Sequence, residues 1–332
     1  MHDSDRSIYR PFADSFLFLG QWAKSGGGRP AAERAEEILE WMDRLCKQGN
    51  KDVAPDTISF NAVLDAWARS GDRNAPRRCE QILDHMDELY RAGNHGVKPD
   101  TYTYNTLINA WAKSSMNGAA SRAEQVLQVM EKRYRDGDAA FKPNTRTYTS
   151  VIDAWAKSSE RQAARRCESI LNGMIKRYEA TGDDDARPNV HTANAVCNAC
   201  AFSKHEDDRG EALQIAFRVF EWLTTQTDLQ PDSYTYTILL SVCANLIPRH
   251  ETATRYAHAR AFFDSCRDAG YVNDYVLRKL RQTVTEQEYL GLLEYRTDAS
   301  ASTLPASWSR NTKPDAPSKQ RKNKWNNSRR RG

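Results

Sequence analysis

VKPDTYTYNTLINAWAKS, residues 97–114, sets the pattern for most of this chain. Close copies start at Ala54 with APDTISFNAVLDAWARS and at Lys142 with KPNTRTYTSVIDAWAKS, and weaker copies start at Arg187 and Gln230. The prolines that open the five copies are 44, 44, 45 and 43 residues apart. They are Pro55, Pro99, Pro143, Pro188 and Pro231. A fixed period of this length predicts a solenoid of stacked repeats.

Each copy predicts a pair of helices. Proline ends the preceding element, and the Asp or Asn after it can cap the next helix. From Tyr104 to Trp111, apolar residues recur at i, i+3, i+4 and i+7, which is one face of a helix. A second amphipathic helix follows each copy, such as APRRCEQILDHMDEL from Ala75. One pair cannot bury both apolar faces alone, so we predict an all-α, right-handed α-solenoid of about six helix-turn-helix repeats, with Trp111 in its core.

The repeats divide the chain into four parts. We expect a disordered N-terminus over residues 1–11 and a solenoid over residues 12–283, with repeats starting near residues 12, 57, 101, 145, 190 and 233. A capping helix should cover residues 284–296, and a disordered basic tail residues 297–332. The first 12 residues lack the apolar core of a secretory signal, and the repeats begin at once, so we expect a fragment or a start that lies upstream.

Charge is unevenly distributed along the chain. The whole chain carries +4 and residues 301–332 carry +8, from nine Lys and Arg against Asp315, so residues 1–300 carry −4. Any claim of nucleic-acid binding therefore depends on where the cations lie, not on the total. No apolar run approaches the 18 or so residues of a membrane span.

Enzymatic and metal-binding sites find little support in the sequence. Cys197 and Cys200 form one C-x-x-C motif without two further ligands at zinc spacing, so no metal is expected there, and Cys79 and Cys167 read as small packing residues of second helices. The run Asp183-Asp184-Asp185 is expected to be a solvated loop. No Ser/His/Asp or Cys/His arrangement recurs. We therefore predict no catalytic residues, no metal and no cofactor, and reduced cysteines favour an intracellular or organellar-matrix location.

The residues Pro99-Asp100 followed by Thr103-Tyr104-Asn105-Thr106-Leu107-Ile108 resemble the pentatricopeptide repeat, and the resemblance covers about residues 10–283. The usual unit of that family is shorter, so this chain looks like a long variant with repeats of about 44 residues. The resemblance implies single-stranded RNA binding in which one repeat meets one base.

One slot directly after an apolar stripe residue holds Asn or Thr in each copy, and we expect it to flank the buried stripe. The resemblance implies that this residue reads a base together with the Asp or Asn that ends the repeat. The pairs are Asn61 with Asp100, Asn105 with Asn144, Thr149 with Asn189, Asn194 with Asp232, and Thr237 with Asp274. By resemblance they imply U, C (or U), A, U and G, from 5′ to 3′. Taken singly, each of these residues is also compatible with a helix surface or a cap.

Two further sets of residues support RNA binding. Three positions before the base-reading residues, the family places the side chains that sandwich a base; here they are Ile58, Tyr102, Arg146, His191 and Tyr234. Eight positions after the base-reading slot, cations in the first four repeats could contact phosphates. They are Lys24, Arg69, Lys113 and Lys157, followed by Phe202 and Asn245 in the last two repeats. A solvated face is the alternative for a lone Lys.

The sequence thus favours a monomeric, non-catalytic, sequence-selective RNA-binding protein. By resemblance it acts in a mitochondrion or plastid, in RNA processing, stability or translation, with RNA-processing or ribosomal proteins as further partners. The alternative is a helical-repeat scaffold that binds protein. If the cations lie on the convex side, away from the row of Asn and Thr residues, the protein-binding scaffold is the favoured function.

Overall fold

The computed structural model describes residues 27–158, 160–296 and 300–312. The first helix predicted for repeat one, with Lys24, and the tail beyond residue 312 lie outside the described residues. The described part is all-helical and contains no strand, which confirms the predicted fold class. The helices are α1 (Gly28–Lys47), α2 (Thr57–Arg69), α3 (Ala75–Arg91), α4 (Thr101–Lys113), α5 (Ala119–Arg135), α6 (Thr145–Lys157), α7 (Ala163–Thr181), α8 (Val190–Ala201), α9 (Glu206–Thr225), α10 (Ser233–Leu246), α11 (Thr252–Asp268), α12 (Asp274–Thr283) and α13 (Glu286–Leu292).

We call the helix that opens a repeat a first helix. The first helices are α2, α4, α6, α8 and α10, and α12 after them is counted as a sixth. Each starts after an Asp or Asn cap. In α4 the carboxylate of Asp100 accepts from the backbone N–H of Thr103 at 2.9 Å, and the Thr103 hydroxyl accepts from the backbone N–H of Asp100 at 3.1 Å. This reciprocal pair satisfies N–H groups that the helix leaves free at its start. The capping residue therefore fixes where every first helix begins.

The remaining helices that alternate with them are the second helices. They are α1, α3, α5, α7, α9 and α11. Several end at a glycine with a left-handed backbone, as at Gly93 (φ 97°) and Gly137 (φ 100°). A side chain with a Cβ rarely adopts this conformation, so glycine is favoured where the chain leaves the helix. Short 3₁₀ turns, such as His95–Val97 and Ala139–Phe141, then lead to the next proline.

The first helices pack against one another in chain order, from α2 through to α12. The backbones of consecutive second helices approach closely only between α7 and α9. A row that packs more closely than its neighbour lies on the inside of a curve, so the first helices line the concave side. One main core runs between the two layers. The stacked repeats form the predicted solenoid, and the hand of its superhelix stays a prediction.

Three buried tryptophans join consecutive repeats. The indole N–H of Trp111, which is 5% exposed, donates to Glu80 of the preceding second helix at 3.2 Å, and Arg122 of the following second helix donates to the same carboxylate at 2.7 Å. The same arrangement joins Trp67, Glu36 and Arg78, and it recurs at Trp155 with Glu124 and Arg166. One glutamate therefore connects three helices of two repeats.

Replacing Glu80 with alanine is expected to lower the free energy of unfolding by about 1–3 kcal/mol, because the indole of Trp111 and the guanidinium of Arg122 both lose their acceptor. Urea denaturation measures this effect. Glu88→Ala is the control on the same helix, since Glu88 is exposed and meets only His85 at 3.9 Å. Equal midpoints for the two variants would contradict this assignment.

Part of the tail predicted to be disordered is instead folded onto the last repeat. Leu304 is buried in the C-terminal core, and Trp308 stacks edge-on against Phe263 with ring centroids 6.0 Å apart. The backbone N–H of Val272 donates to the carbonyl of Trp308 at 2.8 Å. The prediction was wrong for residues 300–312, because two apolar side chains fit a hydrophobic surface that the last repeat leaves open.

Candidate nucleic-acid interface

The second residue of each first helix, the stacking slot, points into solvent. Ile58 is 71% exposed, Tyr102 48% and Tyr234 55%, and Arg146 and His191 are exposed as well. Apolar side chains of this size are normally covered, so a row of them on the concave layer marks a surface that can bind a flat apolar group. All five residues predicted for base stacking are therefore free to contact a ligand.

The structure adds a sixth member that the sequence reading missed. Tyr275 is the second residue of α12 and is 59% exposed. The guanidinium of Arg278, at the fifth position of that helix, lies 5.4 Å from the centre of its ring. The signal was present in Asn273, which precedes a helix as Asp100 does, but no proline precedes it.

The fifth residue of a first helix is the reading slot, and in α2, α4, α6 and α8 it lies beside the cap residue of the next repeat. Asn61 Nδ2 donates to Asp100 Oδ1 at 3.4 Å, and the hydroxyl of Thr103 donates to Asn61 Oδ1 at 2.8 Å. Asn194 Nδ2 lies 3.5 Å from Asp232 Oδ1. Two residues that lie 38 or 39 positions apart in the sequence are thus brought into one polar site between adjacent first helices.

Two more pairs meet through a shared hydroxyl. Thr147 donates to Asn105 Oδ1 at 2.6 Å and to Asn144 Oδ1 at 3.0 Å. In the next repeat, Thr192 lies 3.0 Å from the hydroxyl of Thr149 and donates to Asn189 at 3.1 Å. Four of the five predicted pairs are therefore assembled in the structure.

The reading slot is more buried than expected in two repeats. Thr149 is 7% exposed and Asn194 is 3% exposed, so they lie within the packed interface instead of flanking it. The expectation failed because the start of the next first helix covers this slot, which a single-helix pattern cannot reveal. Asn194 Oδ1 is buried and has no hydrogen-bond partner in the structure.

The last predicted pair is displaced by one residue. Asn273, not Asp274, caps α12 and accepts from the backbone N–H of Val276 at 3.0 Å. Asp274 is the first residue of the helix, and its carboxylate accepts from the backbone N–H of Ala301 at 2.8 Å. Thr237 bonds to Ser233 of its own helix at 2.7 Å. The residue equivalent to Asp100 is therefore Asn273.

Cations occupy the thirteenth residue of the first helices, which we call the phosphate slot. Arg69, Lys113 and Lys157 are exposed there at the ends of α2, α4 and α6. Arg69 pairs with Asp65 at 2.9 Å, whereas neither Lys113 nor Lys157 has an acidic partner among the described residues. The phosphate slot lies eleven residues after the stacking slot, which is about three turns, so both face the same side of the helix. The three cations are therefore on the side that the exposed stacking residues occupy.

Charges from neighbouring repeats meet at this surface. Partial burial and the nearby carboxylate of Asp65 raise the pKa of the Tyr102 hydroxyl, while Arg69 and Arg146 act in the opposite direction. The pKa of Tyr102 is thus influenced by side chains of the repeats before and after its own. The slots of adjacent repeats form one continuous surface.

The C-x-x-C motif and the acidic run are engaged in other ways. Cys197 and Cys200 are buried, and burial raises the pKa of the Cys197 thiol to about 12. Two of the three carboxylates of the acidic loop are paired, since Lys142 contacts Asp183 and Asp185 at 2.8 Å each. Among the described residues, no cluster of three His, Cys, Asp or Glu could hold a metal, and no helix is long and apolar enough to cross a membrane.

Comparisons with known proteins bear on the repeat and on its fold. Residues 89–134 match the pentatricopeptide repeat domain family. No curated protein sequence matches the chain significantly. The crystal structure of the pentatricopeptide repeat protein PPR10 from maize is similar with a TM-score of 0.49 and 24% identity, over 83% of this chain and 33% of that chain. PPR10 in complex with an 18-nt psaJ RNA element gives a TM-score of 0.42 and 20% identity, over 88% and 42%.

This chain spans about a third to two fifths of the length of those solved structures. The segment that matches the family contains all of α4 and nearly all of α5, which is one complete helix pair. Its proline, cap residue and apolar stripe recur in the neighbouring pairs at the same spacing. Whether the period of about 44 residues marks a separate long variant stays a prediction. The family match thus covers one helix pair of the array, residues 89–134.

Proposed function

We propose that this protein binds single-stranded RNA sequence-selectively, with one base at each repeat. The observation that carries the proposal is that four of the five reading slots meet the cap residue of the next repeat, directly or through a shared hydroxyl, beside an exposed stacking residue. Amide and carboxylate groups there offer donors and acceptors that can match a base edge. PPR10, a pentatricopeptide repeat protein, has been crystallised with an 18-nt RNA element.

The surrounding side chains suit the rest of a nucleotide. Tyrosine, histidine and arginine in the stacking slots present flat faces to an unpaired base. The unpaired ammonium groups of Lys113 and Lys157 can meet phosphates. Because residues 1–300 carry −4, we expect modest affinity that depends on these few cations.

The wider setting of this activity is also a proposal. We infer a monomer without catalytic residues that acts in a mitochondrion or plastid, in RNA processing, stability or translation. The proposed pairs are Asn61 with Asp100, Asn105 with Asn144, Thr149 with Asn189 and Asn194 with Asp232, with Thr237 and Asn273 as the fifth pair. Localisation of a fluorescently tagged full-length chain to the cytosol alone would contradict the organellar part.

Fluorescence anisotropy with a short strand containing U-C-A-U-A tests the proposal, because Thr237 with Asn273 has the same two residue types as Thr149 with Asn189, to which the resemblance assigns A. At fixed salt, we expect tighter binding than to a scrambled strand of the same composition. Indifference to sequence, with weak and salt-sensitive binding, would instead assign RNA contact to the basic tail. In that case the protein-binding scaffold becomes the leading function, since a solenoid groove that reads no bases is free to hold a peptide.

Tyr102→Ala is expected to weaken binding of the matched strand by about 1–3 kcal/mol, because one base loses its stacking surface. Tyr102 is half exposed, so the thermal midpoint of the free protein should change little. Tyr102→Phe is the matched control and should bind almost as the wild type does. If phenylalanine binds as weakly as alanine, the hydroxyl and not the ring makes the contact.

A further inference from the structure

A polar cavity lies at the end of the array, where α10 and α12 both terminate. Its volume is about 480 Å³, and its lining includes Asn245, Arg249, Arg255, Lys279 and Gln282. Asn245 occupies the phosphate slot of repeat six, and Gln282 lies seven residues after Tyr275, on the same helix face. The cavity therefore opens beside the surface that carries the stacking and phosphate slots.

The phosphate slots of the last two repeats lack a cation. Phe202 is apolar and 58% exposed, and the side-chain amide of Asn245 donates to the carbonyl of Ala201 at 2.9 Å. Neither side chain can neutralise a phosphate. A strand that follows the first helices would therefore find no positive charge in these slots.

The cavity supplies that charge from other positions. Arg249, Arg255 and Lys279 line it, and the one acidic residue in the lining is Glu288. The Glu288 carboxylate accepts from the backbone N–H and the hydroxyl of Thr285, each at 2.8 Å. Among the described residues, Arg249 and Lys279 have no acidic partner. The lining thus carries an excess of two positive charges.

Arg255 is held in place at the wall of the cavity. Its Nη2 donates to the backbone carbonyl of Ile247 at 2.6 Å, and its Nε is buried without a hydrogen-bond partner. A guanidinium fixed in this way loses little side-chain entropy when an anion binds. An unpartnered buried donor also gains from an acceptor that reaches it.

We propose that this cavity binds a backbone phosphate of the RNA on the 3′ side of the base met by repeat six. The proposal rests on the proposed function, and it assigns to Arg249, Arg255 and Lys279 the role that Arg69, Lys113 and Lys157 have in the earlier repeats. Phosphate suits the site because it presents several oxygens to cations that come from three directions. The cavity extends the RNA surface beyond the last regular repeat.

The test compares three labelled strands: one that ends at the last A of U-C-A-U-A, one with two extra nucleotides on the 3′ side, and one with two on the 5′ side. The variant is Arg249→Gln, Lys279→Gln; Arg255 is left unchanged because its bond to Ile247 holds the turn. The control is Lys132→Gln, Lys176→Gln, which removes two exposed charges from second helices. Dissociation constants are measured over a range of salt concentrations.

With the wild type, the 3′ extension should tighten binding about three- to tenfold at low salt and steepen the salt dependence by roughly 0.7 for each added phosphate contact. The cavity variant should lose this gain and keep its preference for U-C-A-U-A over a scrambled strand. The control should retain the gain. These three results together would support the cavity as a phosphate site.

Other outcomes overturn the proposal. The cavity has no such role if its variant keeps the 3′ gain, if the control loses as much, or if 5′ and 3′ extensions are affected alike. Inorganic phosphate that replaces chloride at equal ionic strength should compete for the same cations, so a 3′ gain that it leaves unchanged would also contradict the proposal. A wild type that binds no strand selectively would instead refute the proposed function itself.

Discussion

The Asn105→Thr, Asn144→Asp double variant should move the preference at the second base of U-C-A-U-A from C to G. We expect the preference to change by about tenfold in each direction, or roughly 1.4 kcal/mol per base. The reason is that an amide pair is exchanged for a hydroxyl and a carboxylate, which present a different set of donors and acceptors to the base edge. Fluorescence anisotropy with four strands that differ only at the second base measures it.

The fold already accepts both replacements at equivalent positions. Thr149 occupies the reading slot of the next repeat, where its hydroxyl bonds to the carbonyl of Thr145 at 2.8 Å. Asp100 and Asp232 cap their helices as Asn144 does. We therefore expect the double variant to keep the stability of the wild type.

Two comparisons make the result decisive. The equivalent double exchange of Asn61 and Asp100 for Thr and Asn should change the preference at the first base only. A double variant that loses affinity for every strand equally would show that the pair supports the fold without reading a base. A changed preference at a different base would show that the repeats bind the RNA in a different register.

Trp111→Ala should lower the free energy of unfolding by about 3–5 kcal/mol, the usual cost of truncating a buried tryptophan. The indole is 5% exposed within the core between the two layers. Its removal leaves a cavity and takes the N–H donor away from Glu80, which belongs to the preceding repeat. Because neighbouring repeats stabilise one another through such interfaces, the loss should reach both sides of the array.

Urea denaturation followed by far-ultraviolet circular dichroism measures this loss. Val129→Ala is the control, because Val129 is 44% exposed on α5 and its truncation should change stability by less than about 0.5 kcal/mol. An unchanged midpoint for Trp111→Ala would mean that the indole is not part of the core. A separate first transition in the curve would show that the repeats around Trp111 unfold before the rest.

Much of the fold could be predicted from the sequence because its signals are local. The period of the prolines, the cap residues and the apolar spacing within 17 or so residues define each helix pair, and the structure starts α2, α4, α6, α8 and α10 at Thr57, Thr101, Thr145, Val190 and Ser233. The burial of Trp111 could be predicted in the same way, because an apolar helix face that recurs in every repeat must be covered by the neighbouring helices. The positions predicted for stacking lie at a constant distance from the cap, so their shared exposure on the first helices follows from the same local pattern.

Contacts between residues about 40 positions apart were decided only by the tertiary structure. The burial of Thr149 and Asn194 depends on how closely the next first helix packs over them, and no pattern within one helix encodes that distance. The docking of Trp308 against Phe263 and the cavity between Arg249 and Lys279 likewise join segments without a shared period. Local sequence therefore determined the helices and their repeat, whereas the packing of consecutive repeats determined which polar groups meet and which remain free to bind.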